Sequence, residues 1–527
     1  MSVSTIRYLL ERSIERNPNK IAIIDNSESI TFLDLYYKVN KITKYLEELN
    51  LKNETRIAIY SNKSISQVVS ILAVLSTKYI VVPISNLLKP EQVDYILKDC
   101  NIQCVITDDT KISTLLDLDY DKHIISMNKN DTYMSFDEIY DSKENVNEKF
   151  SILSIKSAAI IYSSGSTGFP KGIVSSHRNL FDGSRIVSTY LELTEDDVIS
   201  GVLSFNFDYG LNQIYCVLYN NSTLALHNYL FPNDFYKHLV KDKITILPLM
   251  PVFLSRIFDE KMTKNLDKSL CENIRLICSS GGKVTNSMIE NITEYFHCAK
   301  FYSMYGLTEA FRSTYLPPEQ IKTRPHSIGK AIPDVELYVI NDDGEECKPR
   351  EIGELIHRGG CIGKGYWNRS EDTALRYKTV DILNKVIDLD GCLTDEFVVC
   401  SGDYVYKDEE DYIYFVSRKD DMIKSSGYRI SPYEIESSLY THVKEIQECA
   451  VFSIDNEQIG QEIVMAYTSD VAIKDSTILL KLKKHLPNYM IPTIIYSIGE
   501  MPTTTANQGK INKSLIKNDF LKKNKLR

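Results

Sequence analysis

The stretch Ile160-Ile-Tyr-Ser-Ser-Gly-Ser-Thr-Gly-Phe-Pro-Lys-Gly172 decides how the rest of the chain reads. The apolar run Ala158 to Tyr162 predicts a strand that opens into a loop with three glycines, four hydroxyls and one lysine. Backbone N–H groups, hydroxyl donors and a cation gathered in so short a turn suit phosphate oxygens. The spacing departs from G-x-x-x-x-G-K-[ST], because Pro170 stands at the second glycine and Gly172 follows Lys171. A proline has no amide to direct at a phosphate, which argues against a P-loop kinase or ATPase.

Upstream of this loop, short β-branched runs alternate with helical patterns: Ile21 to Ile24, Arg56 to Tyr60, Tyr79 to Val82 and Cys104 to Thr107. A helix opened by Thr31 with Asp34 three residues on carries Leu35, Val39, Ile42, Leu46 and Leu49 along one face. Strands spaced by helices predict parallel βαβ units. After Pro333 the strands shorten (Glu336 to Ile340, Glu354 to His357, Tyr412 to Val416) and turn signals separate them, which predicts a small β-rich subdomain. The charged joint Ser417-Arg-Lys-Asp-Asp421 precedes a segment with its own β and α patterns. The expected class is α/β: a large N-terminal domain, residues 1–419, of two βαβ-rich subdomains and a β-rich one, then a small mobile α+β domain, residues 420–527.

The composition narrows the partners. A chain of 527 residues is too long for one compact domain, and 43% hydrophobic with 25% charged residues describes a folded chain. Lys and Arg total 61 against 71 Asp and Glu, a formal charge of −10, so nucleic acid is not expected as a partner. The eleven cysteines lack the paired spacing of a zinc site and are expected to be buried reduced thiols. Met1 to Asn17 carries too many charges for a secretory signal and reads as an amphipathic helix, while Val68 to Leu88 is too interrupted for a membrane span. A cytoplasmic protein without membrane insertion is expected.

The loop Ser163 to Gly172 resembles the phosphate-binding signature of the AMP-forming adenylating enzymes, which include acyl-CoA synthetases, adenylation domains of nonribosomal peptide synthetases, and firefly luciferase. Six further motifs follow in that family's order: Ser280-Gly-Gly282, Tyr302 to Ala310, Ser401-Gly-Asp403, Ser417 to Asp421, Ser426 to Glu436 and Asn507 to Lys513. Met304 to Pro318 and Asn206 to Gln213 are most similar to free-standing acyl-CoA ligase-like enzymes found with exosortase systems. Leu486-Pro-Asn-Tyr-Met-Ile-Pro492 looks like the peptide-synthetase side.

The resemblance implies ATP and Mg²⁺ as cofactors. Lys171 with the hydroxyls of Ser163, Ser164, Ser166 and Thr167 would hold the β and γ phosphates, the loop's Gly165 and Gly168 completing the cradle. Thr308 and Glu309 match the α-phosphate and Mg²⁺ positions, Glu309 being the expected metal ligand. Asp403 and Arg418 would contact the ribose, Tyr305 and Gly306 would flank adenine, and Ser280, Gly281 and Gly282 would line its edge. Lys510 matches the catalytic lysine, although Asn507-Gln-Gly-Lys510 stands where the family has Asn-Gly-Lys. A hinge at Asp420 would exchange Lys510 for the loop containing Ser426 and Gly427, so that one site first makes an acyl-adenylate and then a thioester.

Asp208 aligns with the family's α-ammonium partner, which favours an amino acid. Tyr209, Asn212, Cys278, Met304, Arg312 and Ser313 would line the side-chain pocket, where Arg312 suits a carboxylate or an amide. With only 17 residues after Lys510, the phosphopantetheine thiol is expected in trans, on a carrier protein. The alternative is an acyl-CoA ligase using free CoA and a non-amino acid.

Overall fold

A computed structural model describes residues 4–142, 152–163, 170–228, 232–258, 271–390, 395–419, 421–425, 428–456, 460–503 and 511–525. Two large sheets and a smaller one organise them. In the first large sheet the strands run in the order Met134–Ser135, His123–Ser126, Cys104–Thr107, Arg56–Tyr60, Ile80–Ile84, Ser157–Ser163, Lys171–Ser176. All pair parallel except the last two, which form an antiparallel hairpin with Ser163 opposite Lys171. The phosphate-type loop is therefore flanked on both sides by strands, Ser157–Ser163 and Lys171–Ser176.

The second sheet has a parallel centre, Thr223–Leu226, Val198–Gly201, Ile246–Leu249, Leu276–Ser279 and Lys300–Tyr305. Beyond Lys300–Tyr305 it continues antiparallel through Thr314–Leu316 and Ser327–Ala331 into Ile413–Arg418, Phe397–Lys407, Gly353–Gly359 and Val335–Ile340. The β-rich region after Pro333 is thus hydrogen-bonded onto the edge of the large sheet, a continuity that short strands and turn signals do not encode. Gly329 makes the junction possible: its φ is +94°, and a Cβ there would lie 2.0 Å from the Tyr315 carbonyl oxygen.

The first strand corrects an expectation. Ile21–Asp25 does not form a βαβ unit with Arg56–Tyr60; it pairs parallel with Thr223–Leu226 in the other sheet and antiparallel with Glu28–Thr31. The helix between them, Phe32–Glu48, has the expected capping box: the Thr31 hydroxyl accepts the Asp34 N–H at 3.1 Å, and the Asp34 carboxylate accepts the Thr31 N–H at 3.0 Å. Leu35, Val39, Ile42 and Leu46 are buried in a core shared by both sheets. Its apolar stripe is satisfied between the sheets, so the helix does not force its flanking strands into one of them. The helix at the start of the chain, Ile6–Arg16, packs into the same core.

Lys63 ties the two sheets together, donating to the carbonyls of Gly201 (2.6 Å), Val202 (2.8 Å) and His227 (3.0 Å). The last hundred residues build a separate sheet, Tyr428–Ile430, Ile423–Ser425, Gly460–Ser469 and Ile446–Asn456, with Ile494–Ser497 alongside. Two apolar clusters there, one around Ile435, Leu439 and Ile478 and one around Phe452 and Ile516, take no residue from the large sheets. Lys283 bridges the parts, its ammonium 4.5 Å from the ring centroid of Tyr433 on helix Pro432–His442. Among the described residues no helix is long and apolar enough to cross a membrane.

Candidate active site

Parallel strands present their C-terminal ends at one edge, and two of the sequence motifs, Ser280 to Gly282 and Tyr302 to Ala310, follow such ends. Leu276–Ser279 ends in Ser280, Gly281 and Gly282; Gly281 has φ +87°, a left-handed turn that a side chain would strain. Lys300–Tyr305 runs into Gly306, and the chain returns antiparallel as Thr314–Leu316, with Tyr305 opposite Thr314. A Cβ on Gly306 would stand 2.6 Å from the Phe311 carbonyl oxygen, so glycine allows the tight return that carries half-buried Thr308 and Glu309 outward and Arg312 inward.

Two side-chain clusters form beside this return. In the first, Lys171 at the hairpin root lies 2.9 Å from the Asp372 carboxylate and 5.5 Å from the centroid of Tyr366. The Tyr366 hydroxyl donates to Glu309 Oε1 at 2.5 Å. The hydrogen bond from Lys171 holds the Asp372 carboxyl below its ordinary range, so Lys171 rests here on an anion. In the second, Asp403 and Arg418 face each other in register on Phe397–Lys407 and Ile413–Arg418, Nη1 to Oδ1 3.0 Å. The Tyr305 hydroxyl donates to Asp403 Oδ2, and the Tyr305 ring stacks at 6.5 Å against His357. Burial, reinforced by Asp403, pushes the Tyr305 phenol far above its usual range, so it stays a donor. Burial alone pushes the His357 imidazole down to about 3, so it is neutral.

Asp208 opens the helix Asp208–Asn220, and burial raises its carboxyl pKa while the charge of Arg312 is the strongest opposing influence. The same helix contributes Tyr209 and Asn212 to a cavity of about 30 Å³, whose lining also includes Cys278, Met304 and Arg312. Ser313 and Ser280 are buried nearby in sequence but do not line it. Ser164, Gly165, Ser166, Thr167, Gly168, Asp420, Ser426, Gly427 and Lys510 lie outside the described residues. Sequence reasoning missed Tyr366, Asp372 and His357. The compact Gly363-Lys-Gly-Tyr-Trp367 run was a signal for the first; the other two gave none.

The chain is 25% identical over 506 residues to tyrocidine synthase 1 of Brevibacillus parabrevis, covering 95% of this chain and 44% of that one. It therefore spans less than half the length of the peptide synthetase it matches. It is also 26% identical over 545 residues to a long-chain-fatty-acid–CoA ligase of Bacillus subtilis, covering 96% of this chain and 93% of that one. The fold is that of the o-succinylbenzoate CoA synthetase from Bacillus subtilis solved with an acyl-adenylate intermediate (TM-score 0.82, 21% identity, 97% of each chain). It is equally that of ATP-bound MatB from Rhodopseudomonas palustris (TM-score 0.85, 22% identity, 98% of this chain and 99% of the other). Residues 10–367 match the AMP-binding enzymes, and the chain belongs to that family.

Proposed function

We propose that the chain is an AMP-forming acid–thiol ligase. The carboxylate oxygen of a small acid attacks the α-phosphorus of ATP, pyrophosphate leaves, and a phosphopantetheine thiolate then attacks the acyl carbonyl and releases AMP. The observation that carries this reading is that Lys171 from one large sheet is brought together with Glu309 and the Asp403–Arg418 pair from the other, with a small cavity lined by Tyr209, Met304 and Arg312 alongside. Lys171 exchanges Asp372 for phosphate oxygens, a like-for-like swap of anions. Asp403 accepts the ribose hydroxyls, and Tyr305 with Ser280 to Gly282 flanks the base.

Glu309 fits a hard cation held by one carboxylate together with phosphate oxygens and water. When bound, Mg²⁺ neutralises charge on the phosphoryl oxygens. Lys510 is assigned to the adenylation transition state, and a hinge at Asp420 between residues 1–419 and 420–527 replaces it with the Ser426–Gly427 loop for the thiol step.

Asp208 supports an amino acid, whose ammonium offsets a buried carboxylate that no cation among the described residues hydrogen-bonds. The similarity to peptide synthetases and the Leu486 to Pro492 segment favour a carrier protein in trans as acceptor. The alternative, an acyl-CoA ligase using free CoA, is favoured by a specific observation: the fatty-acid–CoA ligase of Bacillus subtilis is matched over 93% of its own length. ATP–pyrophosphate exchange against amino, aryl and fatty acids tests the first step. Mass spectrometry of the product made with CoA or with a holo-carrier protein tests the second; turnover with CoA and none with carrier selects the alternative.

A further inference from the structure

Arg312 is 3% exposed, and its Nε and Nη2 meet no hydrogen-bond partner among the described residues. Its guanidinium carbon stands 4.3 Å from the centroid of Tyr209, which satisfies its face but none of its N–H groups. Asn212 Oδ1 and Gln213 Oε1, also buried, have no hydrogen-bond partner either. All four side chains line the same cavity, whose other walls are largely apolar, such as Val187, Leu191 and Ile199. A buried guanidinium without acceptors is costly, and a protein keeps one where something that comes and goes supplies them.

The charges decide what that is. Asp208 is the main carboxylate acting on Arg312, yet it forms no hydrogen bond with it. An ammonium bound at Asp208 takes up this counter-charge and leaves Arg312 positive in an apolar surrounding. A carboxamide offers an acceptor but no charge; a carboxylate offers both, in the planar geometry a guanidinium fork receives. The side-chain amides of Asn212 and Gln213 can turn their NH₂ groups toward it. At about 30 Å³ the space holds a water or two, or the head of a short substituent.

We propose that the acid activated here is a small amino dicarboxylate, its side-chain carboxylate held by Arg312 and its ammonium by Asp208. This rests on the adenylation reading above and narrows its substrate. The test is pyrophosphate exchange by the full chain with aspartate, glutamate, asparagine, glutamine, alanine, leucine and succinate. The wild type should turn over aspartate or glutamate at least tenfold better, in kcat/KM, than the matching amide or alanine. Arg312→Gln should cut the acidic substrates about 100-fold and alanine by a much smaller factor, so that the ratio of acidic substrate to alanine in kcat/KM falls at least tenfold. Arg312→Lys, which keeps the charge and loses the fork, should cut them about tenfold, with thermal midpoints confirming that each variant is folded. If a variant does not fold, the wild-type ranking alone decides. Preference for an amide or an apolar side chain, or an equal fall for every acid in Arg312→Gln, overturns the inference and leaves adenylation standing. Exchange with aryl or fatty acids only also overturns the inference, and no exchange with these or with any of the seven acids overturns the adenylation reading itself.

Discussion

Replacing Asp403 with asparagine removes a charge and almost no volume. The carboxylate is 2% exposed, accepts the Tyr305 hydroxyl on Oδ2 and forms an ion pair with Arg418, whose Nη1 lies 3.0 Å from Oδ1. An amide can still accept from Tyr305, so the stability lost is mainly that of the ion pair. Breaking a fully buried pair costs about 3–5 kcal/mol, but the Arg418 side chain is 40% exposed and water rescues part of its charge. The expected loss is therefore about 1–2 kcal/mol in urea unfolding, with an unchanged m-value. The nucleotide effect is separate. Each hydrogen bond from a ribose hydroxyl to a carboxylate contributes about 1.5–3 kcal/mol, and an amide keeps one acceptor of two. KM for ATP should rise about 10- to 100-fold while kcat changes little, because the ribose carries no charge that develops in the transition state. Pyrophosphate exchange with ATP and 2′,3′-dideoxy-ATP reads this out: the wild type should discriminate strongly, and Asp403→Asn much less. A variant that is destabilised as expected yet shows an unchanged KM for ATP and an undiminished dideoxy penalty would refute the ribose assignment.

Lys63→Met should cost about 2–4 kcal/mol, because it strips one donor group from the carbonyls of Gly201, Val202 and His227 at the junction of the two sheets; an unchanged urea midpoint would mean that water replaces the ammonium. Acid should destabilise the fold well above the carboxylate range, since burial pushes His177 down to about 4 and His357 down to about 3. Both are neutral when folded and protonate near 6.5 when unfolded, so their contribution is complete above pH 6.5 and falls by about 1.4 kcal/mol per histidine for each pH unit toward 4. Urea midpoints measured from pH 7 to pH 4 check the slope, and a flat profile contradicts it. Lys510→Ala should lower adenylation about 100-fold or more, as loss of one charged stabilising donor does, while thioester formation from a preformed acyl-adenylate survives; equal losses in both steps would reject the division of labour.

Much of the site was readable before any geometry. Asp403 and Arg418 stand out in Ser-Gly-Asp403 and in the charged joint, and the structure brings them opposite each other because two antiparallel strands pair in register. Glu309 and Lys171 are likewise marked by their motifs, but the groups that hold them, Tyr366 and Asp372, come from a segment some 60 and 200 residues away, as the pairs Glu309–Tyr366 and Lys171–Asp372 count out. Asp372 looks like any other surface acid until the hairpin root is folded beside it.

The sequence by itself determined the elements with local causes: the Thr31–Asp34 capping box, the stripe from Leu35 to Leu46, and the glycine and hydroxyl content of the loop after Tyr162. Caps, periodicity and turn chemistry act over a few residues and can be read there. Only the tertiary structure decided that Ile21–Asp25 joins Thr223–Leu226, that the β-rich region extends the large sheet, and that Arg312 is buried with N–H groups to spare. Strand partners far apart in the chain, and the satisfaction of a buried charge, depend on contacts that no local window contains, because every apolar strand can pair with several others and only the assembled core selects one.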